Sequence, residues 1–296
     1  MAENKIDIRF GFGSGGVLNM VNERVYLKED NDNVYLDTYL ADGINGYDYK
    51  RKAILIIPGG AYEEVCSERE GEAIAFAFIP YGFQAFVLHY SVNRTEVFPE
   101  QLIEASLAMK HIRNNAEKYQ IDPNNVFVTG FSAGGHLTAS LGTLWHMSEI
   151  YDAVDMPFGY NKPTGVLPIY PVITGDDSCC HKDSFCNLFG TDAPSPEQLE
   201  QGSLEKHVDD RTCPVFLMHT ATDGLVPVEN SLRFATALAR AGLNFELHIY
   251  PEGMHGMALA NEITSGGDKG YEDEEVAKWI PAAVKWIQRV SSDTKE

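Results

Sequence analysis

The 296-residue chain is 44% hydrophobic and 22% charged, with 15 Phe, 14 Tyr and 3 Trp, which excludes a disordered protein and allows a large buried core. Its 43 acidic against 23 basic side chains give a formal net charge of −20, so the averaged field repels nucleic acid and anionic membranes and sets both aside as partners. No run approaches the ~18 apolar residues of a membrane span, and the charged start Met1-Ala-Glu-Asn-Lys5 does not read as a signal peptide, so a soluble cytoplasmic protein is expected.

Residues 23 to 40 alternate (Arg24-Val-Tyr-Leu27, then Val34-Tyr-Leu-Asp-Thr-Tyr-Leu40) around the polar Glu29-Asp-Asn-Asp-Asn33, which predicts an antiparallel hairpin. From Ala53 the pattern becomes a continuous apolar run, Ala53-Ile-Leu-Ile-Ile57, as a strand buried on both faces of a parallel sheet requires. It ends in Pro58-Gly-Gly60. A helix is predicted to start at Ser67, in a reciprocal capping box with Glu70, and to stop near Pro80-Tyr-Gly82. Phe83 to Tyr90 is the next strand, and Pro99 suits the first turn of a helix on which Leu102, Ala105, Ser106, Met109 and Ile112 recur at helical spacing. Asn125 to Thr129 is a strand followed by a helix from Ala133 to Leu144. Gly165 to Tyr170 and Pro214 to His219 are further strands, Val228 to Ala241 is a helix closed by Gly242, and Asn244 to Tyr250 is a strand. Tyr271 to Val290 supplies a last amphipathic helix. Strands alternating with helices over about 240 residues imply βαβ units, hence an α/β chain with a mostly parallel central sheet and helices on both faces.

Between Ile173 and Asp210 that rhythm lapses into a polar stretch, read as a short insertion over the C-terminal edge of the sheet, where ligands bind in open α/β folds. No repeat, low-complexity tract or linker splits the chain, so residues 1 to 296 are expected to form a single domain. Five cysteines, an odd number, fit free thiols in a reducing compartment. Cys179, Cys180, His181 and Cys186 lie close together, but no second ligand pair stands at the separation a structural zinc site requires, so no metal is assigned. Gly11-Phe-Gly-Ser-Gly-Gly16 satisfies a dinucleotide-binding pattern. It leads into a short apolar patch and the acidic hairpin rather than a helix, so no cofactor is assigned either.

The chemistry centres on Gly130-Phe-Ser132-Ala-Gly134, placed between a strand and a helix as a turn that lifts a serine above a sheet requires. A serine hydroxyl needs a base to take its proton, and the base needs an acid to hold its tautomer. His255 lies in the glycine-flanked Pro251-Glu-Gly-Met-His-Gly256 after one strand, and Asp223 in Thr222-Asp-Gly-Leu-Val-Pro227 after another. Both therefore belong on the rim that carries Ser132. Asp209 and Asp210 are sequence neighbours of Asp223 that compete for its role. His136, in the helix after the serine, reads as structural, and His181 as lining the insertion or solvated. Backbone donors for an oxyanion, each worth about 3 kcal/mol, are expected from Ala133 and from the loop Pro58-Gly-Gly-Ala-Tyr62.

Gly-Gly-Ala-Tyr after the strand, Ser67-Glu-Arg-Glu70, His89-Tyr-Ser-Val92, Gly130-Phe-Ser-Ala-Gly-Gly-His136, Tyr170-Pro-Val-Ile173 and His255 together resemble the esterase/lipase branch of the α/β hydrolases. Within that branch the chain is similar to small carbohydrate-esterase-like proteins of the acetyl xylan esterase or xylanase-associated type, over roughly residues 25 to 290. The resemblance implies the α/β-hydrolase fold and oxyanion donors at Gly60 and Ala61. The chain departs from the fuller His-Gly-Gly-Gly form by having Pro58 first and Ala61 last, which leaves Gly59, Gly60 and Ala61 as alternatives. The expected reaction is ester hydrolysis through an acyl-enzyme, with Ser132 attacking, His255 shuttling the proton and Asp223 orienting the imidazole. The resemblance further implies a small-molecule substrate bearing short acyl groups on a sugar. Amide cleavage, by a peptidase or a formamidase, uses the same triad and stays open, as does an inactive binding protein on this fold. Oligomeric state is left open, a homodimer included.

Overall fold

The apolar run Ala53–Ile57 lies at the heart of the sheet because both of its faces are covered. In the computed structural model, which describes residues 5–12, 16–43 and 49–291 (for residues 5–12 and 16–20 the backbone alone), Ala53, Leu55 and Ile57 join one core cluster and Ile54 and Ile56 the other. The first cluster lies under the helices Glu100–Asn114, Ser132–Leu144 and Glu229–Arg240, and the second under Ala73–Phe78 and Trp279–Val290. Each fully buried Val, Leu, Ile or Phe contributes about 1.5–3 kcal/mol, so a strand with apolar side chains on both faces is stable only between two helical layers.

The strands are β1 (Lys5–Phe12), β2 (Gly16–Tyr26), β3 (Tyr35–Ala41), β4 (Arg51–Ile57), β5 (Phe83–His89), β6 (Ile121–Phe131), β7 (Gly165–Ile169), β8 (Val215–Thr220) and β9 (Phe245–Tyr250). They form a 9-stranded sheet in the order β1-β2-β3-β5-β4-β6-β7-β8-β9. β1, β2 and β3 run antiparallel down to the β3–β5 pairing, and every pairing from β5 to β9 is parallel. The expected α/β-hydrolase architecture is therefore present, with β2 and β3 pairing in the register that sets Arg24 opposite Asp37. Parallel strands put the loops after β4, β6, β7, β8 and β9 on one rim, and all five contribute to the site described below. In the N-terminal glycine run Gly11 and Gly16 belong to β1 and β2, while residues 13–15 lie outside the described residues. Among the described residues no helix is long and apolar enough to cross a membrane.

Local departures from the sequence reading have identifiable causes. Ser67 makes no side-chain cap, and Glu70 does not reach back to it; the turn Glu68–Glu72 precedes the helix Ala73–Phe78, and Glu70 points inward. Pro99 occupies the N-cap of the helix Glu100–Asn114 rather than its first turn. The last helix begins at Trp279, after short turns at Lys269–Tyr271 and Val276–Lys278. The polar stretch 173–210 contains two helices, Lys182–Leu188 and Pro196–Gly202. The second opens on a capping box between Ser195 and Gln198. Its neighbours Phe185, Leu188 and Leu204 are buried in the core shared with the helix Ser132–Leu144, so an apolar inner face hides within a polar composition.

Candidate active site

Ser132 sits where β6 turns into the helix Ser132–Leu144, with φ of 54°, a left-handed conformation that a side-chain-bearing residue adopts only when its surroundings impose it. The surroundings here are close approaches to two flanking glycines. A Cβ on Gly130 would stand 2.2 Å from Thr138 Oγ1, and one on Gly134 would stand 2.1 Å from the Ile57 carbonyl oxygen. Gly134 thus lets the turn nest against the end of β4, and Gly130 lets the first turns of the helix close over it. Gly134→Ala is expected to cost about 1–3 kcal/mol of stability and to lower the thermal midpoint by about 3–10 °C, because its neighbours are backbone atoms that cannot swing aside. A circular-dichroism melt of the variant checks this, and an unchanged midpoint would contradict the close approach.

The loops after β8 and β9 bring Asp223 and His255 to this serine. His255 Nε2 lies 2.8 Å from Ser132 Oγ and His255 Nδ1 lies 2.7 Å from Asp223 Oδ2. The other carboxylate oxygen, Asp223 Oδ1, accepts the backbone N–H groups of Leu225 and Val226, both at 2.9 Å. A further partner is His219 at the end of β8, fully buried, whose Nε2 is 3.4 Å from Asp223 Oδ2 and 2.9 Å from the Val226 carbonyl. Burial by itself pushes the Asp223 pKa up. The hydrogen bonds from His219 and His255 overcome it and hold this carboxyl well below the usual carboxylate range. The competitors lie elsewhere: Asp209 pairs with Arg211, and Asp210 is exposed.

The loop after β4 is fastened at almost every peptide. Tyr90 Oη donates to the Pro58 carbonyl at 2.9 Å, Cys66 N–H to the Gly59 carbonyl at 3.0 Å, and Asn187 Nδ2 to the Ala61 carbonyl at 3.0 Å. Tyr62 is buried and donates to His136 Nδ1 at 2.8 Å, while His136 Nε2 donates to the Gly202 carbonyl at 2.8 Å. Burial lowers the pKa of His136 to about 4, so it bridges these groups as a neutral ring, in the structural role expected of it. Gly60, Ala61 and Tyr62 all have positive φ, at 121°, 56° and 57°. The N–H of Gly59 is already donated, at 2.8 Å, to Glu70 Oε2. It is not free for a substrate, whereas Gly60 and Ala61 line the same cleft as Ser132.

That cleft has a volume of about 1020 Å³ and is walled by Ser132, His255, His181, the turn Gly60–Ala61, the segment 63–70 and Tyr271. His181 lines it half-buried, with Nδ1 2.8 Å from Ser184 Oγ, and burial followed by the charge of His255 lowers its pKa. Two groups touching this centre are given no role of their own in the sequence reading. The capping-box pattern places Glu70 in a helix cap, although it shares the spacing of the buried Ile74 and Phe78 and so falls on the inward face. His219 has the pattern of an ordinary strand residue.

A family model described as BD-FAE matches residues 36–238, more than half of the chain. The chain belongs to the BD-FAE family. A second model, the dienelactone hydrolase family, matches residues 195–291, the part of this BD-FAE chain that carries Asp223 and His255. Relatives include endo-1,4-beta-xylanase B of Butyrivibrio fibrisolvens, 40% identical over 76% of this chain and 35% of its own length. Acetylxylan esterase of Xylanibacter ruminicola is 30% identical over 70% of this chain and 41% of its own length. The chain thus spans well under half the length of these two relatives. Among solved structures, an acetyl ester-xyloside bifunctional hydrolase from Caldicellulosiruptor lactoaceticus superposes with a TM-score of 0.76 at 33% identity, covering 90% of this chain and 96% of that one. The BD-FAE chain has the α/β-hydrolase fold and resembles acetyl xylan esterases, in line with the sequence resemblance.

Proposed function

We propose that this chain is a serine esterase in which Ser132 attacks the ester carbonyl, His255 takes and returns the proton, and Asp223 holds the imidazole and stabilises its protonated form. The observation that carries the reading is the continuous path from Ser132 Oγ through both ring nitrogens of His255 to Asp223, with contacts of 2.8 and 2.7 Å. Because the Asp223 carboxylate accepts from Nδ1–H, Nε2 is left as an acceptor facing the hydroxyl. The oxyanion of the tetrahedral intermediate is assigned to the N–H groups of Gly60, Ala61 and Ala133. Ala133 follows the nucleophile at a helix N-terminus, where the dipole favours negative charge. Attack forms an acyl-Ser132 ester and expels the alcohol with the proton held by His255. Water, deprotonated by the same ring, then releases the acid.

Short acyl groups, acetyl foremost, on a carbohydrate are the proposed substrate. Two features support this: the relatives' names, and a cleft wall that offers Glu63, Glu64, Glu68 and Thr222 as partners for sugar hydroxyls. All five cysteines are unpaired thiols, which accords with work in a reducing compartment such as the cytoplasm. The test is a comparison of acetylated xylo-oligosaccharides, formylated amines and short peptides. The expected result is a kcat/KM at least tenfold higher on the acetylated sugar. A preference for the formyl amine or peptide would move the chain to amide chemistry. Failure of a fluorophosphonate to label Ser132 would point to a binding protein instead.

A further inference from the structure

We propose that Glu70 is a positioning residue: through Tyr170 it ties the Gly59 amide to the imidazole of His255, and its carboxylate charge favours the protonated form of that imidazole. This deepens the esterase reading above and rests on it. Glu70 is 4% exposed and its two oxygens have separate donors. Oε2 accepts the Gly59 N–H at 2.8 Å, and Oε1 accepts the Tyr170 hydroxyl at 2.8 Å, across a hundred residues of chain. The Tyr170 oxygen in turn accepts the N–H of Ala258 at 3.1 Å, in the loop that carries His255. The Tyr170 ring meets the His255 ring edge to face, with centroids 5.1 Å apart and planes at 69°.

The hydrogen bonds determine the charge state that suits this site. A backbone N–H only donates, so Oε2 must accept. The Tyr170 hydroxyl donates its single proton to Oε1 while its oxygen takes the Ala258 N–H. Both oxygens are acceptors, as in a carboxylate. Burial raises the Glu70 pKa above its ordinary value, and the bonds from Tyr170 and Gly59, then the charges of His255 and Arg69, offset only part of that rise. The titratable groups facing it are Arg69 on its own segment, Cys66 just before, Tyr90 after β5, Tyr170 after β7 and His255 after β9. Of these only Arg69 and protonated His255 are cations. When His255 takes the proton of Ser132, the new positive charge therefore meets Asp223 on one side and Glu70 beyond the Tyr170 ring. The same carboxylate keeps the Gly59 amide occupied, which directs an oxyanion to the next two peptides.

The test is a proton NMR titration of the His255 Cε1–H, assigned by its loss in His255→Ala, in the wild type, Glu70→Gln, Glu70→Asp and Tyr170→Phe. Glu70→Gln is expected to lower the titration midpoint by roughly 0.5–1 pH unit. Glu70→Asp keeps the charge and is expected to stay near the wild type. Tyr170→Phe removes a bond that keeps Glu70 ionised, so it is expected to move the midpoint the same way by less. Turnover of an acetyl ester should fall about tenfold or more in Glu70→Gln at a KM within twofold, its acid limb moving to lower pH with the titration. An unmoved or raised His255 midpoint in folded Glu70→Gln overturns the proposal. If that variant does not fold, an unmoved midpoint in Tyr170→Phe does so. The titration reads the ring directly, so its outcome is separable from failure of the esterase reading, which the substrate panel and Ser132 labelling address.

Discussion

Ser132→Ala is expected to lower kcat for p-nitrophenyl acetate by about 10⁵-fold and to abolish labelling by a fluorophosphonate, with the thermal midpoint near that of the wild type. The size reflects the role of the hydroxyl. In the proposed mechanism no acyl-enzyme forms without Oγ, and the remaining rate is expected to be what the backbone donors and His255 extract from water. His255→Ala is expected to be nearly as damaging, because it leaves a neutral hydroxyl with no base at 2.8 Å. The double variant should be no worse than either single one, since the two groups act as a unit. Stopped assays with titrated active sites and purified protein distinguish this residual rate from contaminating esterase. A Ser132→Ala protein that kept the native rate would remove the basis of the mechanism.

Asp223→Asn should cost about 10⁴-fold in kcat at neutral pH with little change in fold, for a reason specific to this loop. Asp223 Oδ1 is held by the N–H groups of Leu225 and Val226, which accept no substitute but another acceptor. An asparagine must therefore place its carbonyl oxygen there and turn its amide N–H₂ toward His255 Nδ1. That nitrogen then has to accept, so the ring proton moves to Nε2 and faces the Ser132 hydroxyl instead of receiving its proton. The native carboxyl, with its pKa held down, contributes stability that is fully present above about pH 4, the ordinary carboxylate pKa, and is lost as pH falls below it. The Asn variant should thus lose part of the wild type's acid sensitivity below pH 4 as it loses activity. A pH series of melts and rate measurements reads both. An Asp223→Asn enzyme within tenfold of the wild type would show that the tautomer is set by something other than Asp223.

The features legible in the sequence and those hidden from it divide along a physical line. Ser132, Asp223 and His255 can be named because apolar runs mark the strand ends that carry them, and parallel strands collect those ends on one rim. Glu70 is hidden because a serine three residues before a glutamate has a local explanation, the capping box. Its actual partners are a backbone amide and a phenol a hundred residues away, and no periodicity announces a bond across that separation. The choice among Gly59, Gly60 and Ala61 is hidden for the same reason, since it turns on whose amide is already engaged. The helices within 173–210 stay hidden because each is only 7 residues long, too short for helical spacing to stand out against polar neighbours.

That segment also constrains how the protein can change. Asn187 holds the Ala61 carbonyl, and the Gly202 carbonyl receives His136 from the helix behind the nucleophile. The region that would be exchanged to alter substrate choice is therefore bolted to the catalytic frame at two points. A chimera carrying another protein's insertion keeps a working centre only if it brings an amide donor and a carbonyl to the same two places. Retuning by single substitutions along the cleft segment 63–69 is the less disruptive route.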